Sequence, residues 1–406
     1  MTTASTAARP GTAPLTPIAP LSPLLVLIMA MATGLAVASN YYPQPLLPTM
    51  ADELGLSATQ AGFIVTTAQL GYALGLLLIV PLGDLFERRG LIVTMTLLCA
   101  AGLLTTAFAP HFGVVLLGTA LTGLLSVVAQ LLVPFAATLA TPDKRGKTVG
   151  TVMSGLLLGI LLARTVAGSL AALGSWRTVY WVGALAMVAM AAILYRALPR
   201  HHETAGLPYP RLLLSIATLF KEERVLRVRA VLGALTFANF SVLWTSMAFL
   251  LAAPPFRFSE GTIGLFGLAG AIGALAASAV GRLADHGKGE ATTGIGLALL
   301  LLSWLPLAFA GQSLTAFVVG ILALDLAVQG VHVSNQGAIY KIRPEARNRI
   351  TAGYMTSNFI GAAAGSLASA TAYSHAGWAG VVTTGLAVSV LGFAAWAWAR
   401  RRPAAA

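Results

Sequence analysis

The sequence predicts an all-α membrane protein of twelve transmembrane helices arranged as two parallel six-helix repeats. Three observations carry this. Of 406 residues, 57% are hydrophobic and only 9% charged, against roughly 25% charged in an ordinary soluble domain. Apolar blocks of about twenty residues recur from end to end, continuous where the strands of a membrane barrel would alternate over about ten. Finally, the second half of the chain repeats the loop pattern of the first at a nearly constant offset.

The blocks are bounded by charge or by Pro and Gly clusters. Span 1 covers 22–47 and runs into NYYPQPLLP; spans 2 (59–82) and 3 (91–109) flank DLFERRG. Spans 4 (113–140) and 5 (148–173) flank TPDKRGK, and span 6 covers 177–197. In the second half the spans are 7 (228–252), 8 (260–283), 9 (291–310), 10 (314–339), 11 (350–373) and 12 (378–398). The chain thus divides into a tail (1–21), a six-helix bundle (22–197), a polar linker (198–227), a second bundle (228–398) and a tail (399–406).

The net charge of +12 would suit a nucleic-acid partner, so the placement of the 25 Lys and Arg residues decides the matter. All except Arg164, Arg177 and Arg257 fall on one side of the membrane. That asymmetry is the positive-inside pattern, which expects both termini in the cytoplasm of an inner (plasma) membrane and no nucleic-acid partner. Cys99 is the single cysteine, so no intramolecular disulfide or thiolate cluster can form. The first apolar run ends AVASN, like a signal-peptide site, but it is long for a signal core and only Arg9 precedes it. It is therefore read as span 1.

At an offset of 201 residues, VPLGDLFERRG (80–90) lies on GRLADHGKGEA (281–291), matching Asp84 with Asp285. At 202, TPDKRGKTVGTVMSG (141–155) lies on RPEARNRITAGYMTS (343–357), matching Arg145 with Arg347 and Lys147 with Arg349. Gly159 then meets Gly361, and Trp176 meets Trp378. Parallel six-helix repeats characterise one large class of secondary transporter, with the substrate site near the midplane between halves.

In these features the chain resembles the major facilitator superfamily over essentially its whole length. The family signature between helices 2 and 3 is close to G-x-L-x-D-R-x-G-R-R. VPLGDLFERR keeps Leu82, Asp84, Arg88 and Arg89 but departs at Val80, Leu85 and Glu87; the second copy restores the leading glycine as Gly281 and keeps Asp285. The resemblance implies that this cluster latches the cytoplasmic side in the outward-facing state. NYYPQPLLP (40–48) and DLAVQGVHVSNQ (325–336) look most like bacterial proton-coupled exporters of drugs and metabolites. Their helix 5 motif, G-x-x-x-G-P-x-x-G-G, survives here only as Gly155, Gly159 and Gly168.

Ionisable groups at membrane depth cost about 2.5–3.5 kcal/mol on insertion scales, so they face a cavity or a partner. Arg164 and Asp325 are the two firmly charged candidates. Asp325, Gln329, His332 and Gln336 are spaced 4, 3 and 4 apart, on one face of span 10. Such a stripe reads either as a cavity wall or as a buried helix–helix hydrogen-bond network. Asp325 lies roughly 16 Å into the span at 1.5 Å per residue, where desolvation disfavours the ionised form and suits it to bind and release a proton. It is the proposed proton-coupling acid, and His332 either relays the proton or packs by hydrogen bonding. Helix 4 has no matching acid, for Asp325 falls on Gly123 and His332 on Gln130.

Other cavity candidates are Asn40, Tyr41 and Gln44 in span 1, Gln130 in span 4, Asn239 and Trp244 in span 7, and Tyr354 and Asn358 in span 11. Amides and aromatics suit loose recognition of amphipathic organic molecules. Arg164 lies roughly 24 Å from the start of span 5. Three roles stay open for it: counter-charge to Asp325, binder of an anionic substrate group, or structural arginine bonded to carbonyls.

The expected function is export of a small organic compound by proton antiport through alternating access, with protons and substrate as small-molecule partners and a monomer as working unit. The same architecture serves uptake by symport or uniport. Among other classes, an intramembrane enzyme lacks support, because the chain has no H-E-x-x-H, G-x-S-x-G or paired membrane aspartates; a transport-dead sensor is the remaining alternative. No nucleotide-binding loop is present and no metal or other cofactor is expected.

Overall fold

The computed structural model describes residues 21–141, 143–201, 208–283, 289–343 and 346–401, with the side chains of all but 84, 271, 273–283 and 289. Among the described residues, ten helices are long and apolar enough to cross a membrane. Spans 1 to 7 are Pro23–Leu54, Ala58–Gly83, Arg88–Ala107, Phe112–Leu139, Arg145–Ala172, Trp176–Ala197 and Arg224–Ala252, and spans 9 and 10 are Glu290–Ala308 and Leu314–Ile339. Arg347–Arg401 supplies spans 11 and 12, because the backbone leaves helical geometry at Ala376 and Gly377. Gly377, at φ 56°, takes up a conformation that favours glycine. The helix Glu260–Leu283 is span 8.

Three spans are broken where the sequence predicts continuous helices. Span 1 consists of Pro23–Ala38 and Pro43–Leu54, and it ends well beyond the expected 47. Pro43 and Pro45 lack the N–H that would continue the ladder, yet a proline suits the first turn of a new helix. The break carries Asn40 and Tyr41, both buried. Span 4 is interrupted between Leu125 and Val128, and span 9 at Ser303. Span 7 begins at Arg224, four residues before the expected 228. Within the linker lies a further helix, Tyr209–Glu222, whose buried Leu212, Ile216 and Leu219 fall on one face at helical spacing.

Small residues set the packing inside each bundle, and the two bundles do it alike. A Cβ at Gly34 would lie 2.6 Å from the carbonyl oxygen of Gly155, and Gly159 abuts the Gly34 backbone, so spans 1 and 5 touch main chain to main chain. In the second half Gly361 and Gly365 sit on the backbones of Ala234 and Ala238, joining spans 7 and 11. The offset that pairs Gly159 with Gly361 in sequence therefore pairs equivalent contacts in space. Gly159→Leu is expected to abolish the monodisperse folded species in gel filtration of the solubilised protein. Gly150→Leu, where an added Cβ meets nothing within 4 Å, is the matched control.

Between bundles, span 2 packs on span 11 and span 5 on span 8. Gly62 lies against Ala370, and Ser366 Oγ donates to the Gly62 carbonyl at 3.4 Å. Thr165 Oγ1 donates to the Gly264 carbonyl at 2.9 Å, and Gly168 abuts the backbone of Glu260. At the same end Thr49 bonds Glu260, and Thr59 Oγ1 donates to Ser374 Oγ at 2.8 Å. These contacts seal the end opposite the basic loops.

Candidate functional site: a cavity between the halves

At the other end the bundles part around a cavity of about 1330 Å³. Its mouth carries Arg88, Arg145, Arg347 and Arg349 from the basic loops, and its walls rise to Tyr41, Tyr72 and Ile160. Lining this volume from the predicted set are Tyr41, Gln130, Gln329, His332 and Gln336. Gln130 Nε2 donates to Tyr72 Oη at 3.3 Å, and Tyr72 meets Phe359 of span 11 with centroids 4.2 Å apart, so these aromatics join the two bundles. His332 Nδ1 lies 3.3 Å from Tyr354 Oη and its ring is 5.4 Å from that of Phe237. Phe237 and Phe359 also line the cavity, a pair that sequence reasoning missed because isolated aromatics in apolar spans carry no periodic signal.

Asp325 stands on the same face of span 10 as the lining residues, yet it is buried at 4% exposure and does not line the cavity. Its Oδ1 accepts a hydrogen bond from Trp244 Nε1 at 3.2 Å. On the face of that indole sits the Arg164 guanidinium, its central carbon 3.8 Å from the ring centroid. Tyr41 and Phe240 add ring faces at 5.1 and 5.3 Å. A desolvated cation over an aromatic face is stabilised by ~2 kcal/mol or more, so these rings make a fully buried arginine tolerable. Its Nε donates to Gln44 Oε1 at 2.6 Å and Nη1 to the Ile160 carbonyl at 3.4 Å, while Nη2 has no protein partner.

Among the described residues no ion pair joins Arg164 to Asp325 directly; Trp244 stands in both environments. Arg164 belongs to the first bundle, whereas Trp244 and Asp325 belong to the second. The charges therefore bridge the halves beside the closed end of the cavity. Span 8 makes room for them: a Cβ at Gly267 would approach Arg164 Cβ to 3.1 Å, and one at Gly270 would strike the Asp325 carboxylate and lie 2.7 Å from the Trp244 ring. Sequence reasoning missed both glycines, since a glycine's role as a slot for another helix's side chain is visible only once the helices are placed.

Several predicted cavity residues lie elsewhere. Asn239 accepts hydrogen bonds from Trp304 Nε1 at 2.9 Å and Ser389 Oγ at 3.0 Å, and so belongs to the core of the second bundle. Tyr354 and Asn358 are buried against Gly233, with Tyr354 reaching the cavity only through His332. Asn40, Gln44, Arg164 and Trp244 are buried and are not part of the wall, and Arg164 packs against the Tyr41 ring. Both polar side-chain atoms of Asn40 and the Nε2 of Gln44 lack protein partners.

At the loop motif, Asp84 closes the short 3-10 turn Val80–Asp84, and its side chain lies outside what is described. Arg88 Nη1 donates to Thr138 Oγ1 at 3.0 Å, and Arg89 lies 4.9 Å from the Tyr195 ring centroid, so both arginines engage their own bundle. Glu87, a departure from the signature, caps span 3 by accepting from the backbone N–H groups of Arg89 and Gly90 at 2.9 and 2.7 Å. Gly281 is in the final turns of span 8, and Asp285 lies outside the described residues. Arg229, assigned from sequence to the basic end, is buried in the first turns of span 7, bonded to Thr293 Oγ1 at 3.0 Å and paired with Glu290 at the start of span 9.

The sequence model of the Major Facilitator Superfamily matches residues 29–302. The chain belongs to this superfamily. Over 372 residues it is 63% identical to "Uncharacterized transporter YgaY" of Escherichia coli O157:H7, covering 92% of this chain and 94% of that one. "Probable transporter SCO4007" of Streptomyces coelicolor is 31% identical over 370 residues, 91% of this chain and 86% of the relative. In fold, the chain is similar to a bacterial homolog of the human lysosomal transporter Spinster, crystallised in an inward-facing and unoccupied conformation. The TM-score is 0.75 at 15% identity, covering 93% and 96% of the two chains. This superfamily member is accordingly a multi-pass membrane transporter of small molecules, not an enzyme.

Proposed function

We propose that this transporter exports a small organic compound in exchange for protons, alternating between a state open at the basic end and one open at the other. The observation that carries the reading is the Arg164–Trp244–Asp325 cluster, one charge from each bundle, at the sealed end of the cavity. With Asp325 ionised, the opposite charges attract across the interface and favour the sealed state. A proton on Asp325 removes the counter-charge of Arg164, weakens that attraction and lets the halves part. A substrate in the cavity that displaces Tyr41, whose ring packs on Arg164, disturbs the same cluster, so proton and substrate converge on one release mechanism, as antiport requires.

The amides Gln130, Gln329 and Gln336 with the rings of Tyr72, Phe237 and Phe359 supply adaptable hydrogen bonds and flat apolar faces, which suits amphipathic organic solutes. The one-sided placement of basic residues supports cytoplasmic termini and, with them, an open mouth on the cytoplasmic side of an inner membrane. In this reading His332 passes a proton between cavity water and span 11, a role supported by its position in the wall and its contact with Tyr354.

A compound-library growth screen with the transporter overexpressed, followed by flux in proteoliposomes under an imposed pH gradient, tests the reading. Export predicts resistance in cells and substrate accumulation driven by a proton gradient of opposite direction. Accumulation driven by a gradient of the same direction would show symport, and flux indifferent to the gradient would show uniport.

A further inference from the structure

Outside the main cavity, the linker helix Tyr209–Glu222 forms one wall of a second pocket, of about 310 Å³. The opposite wall is formed by Arg343, Ala346 and Arg349, and three arginines line the space: Arg211 from the linker helix, Arg343 and Arg349 from the far side. One carboxylate, Glu222, faces them. It is already committed, for Arg343 Nη1 bonds Glu222 Oε2 at 2.9 Å and Arg343 Nε bonds Glu223 Oε1 at 2.7 Å. Arg211 and Arg349 carry no side-chain hydrogen bond or ion pair among the described residues. The hydroxyls present are also committed, Ser215 Oγ donating to the Leu212 carbonyl at 2.6 Å and Thr218 Oγ1 to that of Leu214 at 3.0 Å.

Among the described residues, the pocket thus holds two cationic side chains, Arg211 and Arg349, that no carboxylate accepts from. Arg211 and Arg349 line one space from its two walls, and a tetrahedral phosphate bound there would accept charge-assisted hydrogen bonds from both. Beside the arginines Leu214 is 66% exposed, an apolar shelf on the rim of a basic pocket. A soluble phosphate has no use for such a shelf, whereas a lipid places hydrocarbon next to its headgroup. Basic pockets at the ends of membrane helices are where anionic headgroups dock.

We propose that this pocket binds the phosphate of an anionic phospholipid headgroup between Arg211 and Arg349. Such a ligand would act on the linker helix. Tyr209 Oη ties the start of that helix to the Leu78 carbonyl of the first bundle at 2.7 Å, while Ile216 and Phe220 pack on Gly353 of the second. Leu212 and Ile216 also line the main cavity. The helix is therefore a strap across the open end, and a lipid clasping Arg211 to Arg349 fastens it to the second bundle in the cavity-open state. The site is separate from the proton-coupling cluster, and binding can be read without knowing the transported substrate.

The test is titration of the full-length protein in detergent with phosphatidylglycerol, phosphatidylcholine and inorganic phosphate, read by thermal stabilisation and by native mass spectrometry. Phosphatidylglycerol is expected to bind and stabilise, and the other two not. The Arg211→Gln/Arg349→Gln variant is expected to bind it about thirtyfold more weakly, for the loss of two arginine–headgroup contacts of ordinary strength. Lys221→Gln, on the same helix but outside the pocket, is expected to bind as the parent does. If inorganic phosphate stabilises as well as the lipid, the ligand is a soluble anion and the lipid assignment falls. Equal binding of phosphatidylcholine, or undiminished binding by the arginine variant, overturns the site itself. Should the double variant not fold, Arg211→Gln alone, a substitution at an exposed position, replaces it: weakened phosphatidylglycerol binding supports the site, and undiminished binding overturns it.

Discussion

Asp325→Asn is expected to abolish substrate flux driven by a pH gradient while leaving a folded protein that still exchanges substrate down its own gradient. Asparagine keeps the shape and an oxygen to accept the Trp244 indole N–H, which the carboxylate now accepts at 3.2 Å. What it removes is the charge and its titration. Arg164, 3.8 Å from the Trp244 centroid, then has the same electrostatic partner at every pH, and the interface has no proton-dependent term. Flux in proteoliposomes with and without an imposed gradient separates the two components. Normal proton-driven exchange by Asp325→Asn would exclude this carboxylate from coupling and would leave His332 as the titratable group of the cavity wall.

Removing the other charge has a different expected result. Arg164→Leu leaves Asp325 buried at 4% exposure without the cation that accompanies it, and empties a stack formed by Tyr41, Phe240 and Trp244. Taking one partner from a directly bonded buried pair costs about 3–5 kcal/mol, chiefly because the remaining charge stays desolvated; with Trp244 between the charges the loss expected here lies at the low end of that range or below it. A large fall in apparent melting temperature in detergent is the readout. Combining Arg164→Leu with Asp325→Asn removes both charges and is expected to recover a substantial part of the loss. Additive losses in the double variant would show that Arg164 acts through packing and its bond to Gln44, not through the aspartate.

The two experiments distinguish roles that sequence analysis left open for Arg164. Counted at 1.5 Å per residue along spans 5 and 10, which run in opposite directions, the two charges differ in depth by about two turns, a separation at which a direct pair needs full side-chain reach. Helix spacing fixes depth and face but not the crossing of one helix over another, and the indole that stands between the charges comes from span 7. The stripe Asp325, Gln329, His332 and Gln336 was legible for the opposite reason. Its residues share one helix, so intervals of 4, 3 and 4 already place them on one face; three line the cavity, and the fourth lies buried next to its closed end. Asn239 was misread because an amide bonded to Trp304 and Ser389 inside one bundle looks, in a single sequence, like an amide facing substrate.

The amino-acid sequence by itself determined the membrane setting, the twelve spans, the duplication and the family, because each rests on quantities that act along the chain. Hydrocarbon demands blocks of about twenty apolar residues whose backbone bonds close internally, and the repeat is a matter of offset. Only the tertiary structure decided which polar groups line the cavity and which lie behind it, and that Arg164 reaches Asp325 by way of Trp244. Those relations depend on how closely helices distant in sequence approach, set by contacts such as Gly159 on Gly34 and Gly270 beside Asp325. The close packing of such surfaces has no signature in the spacing of residues along one helix.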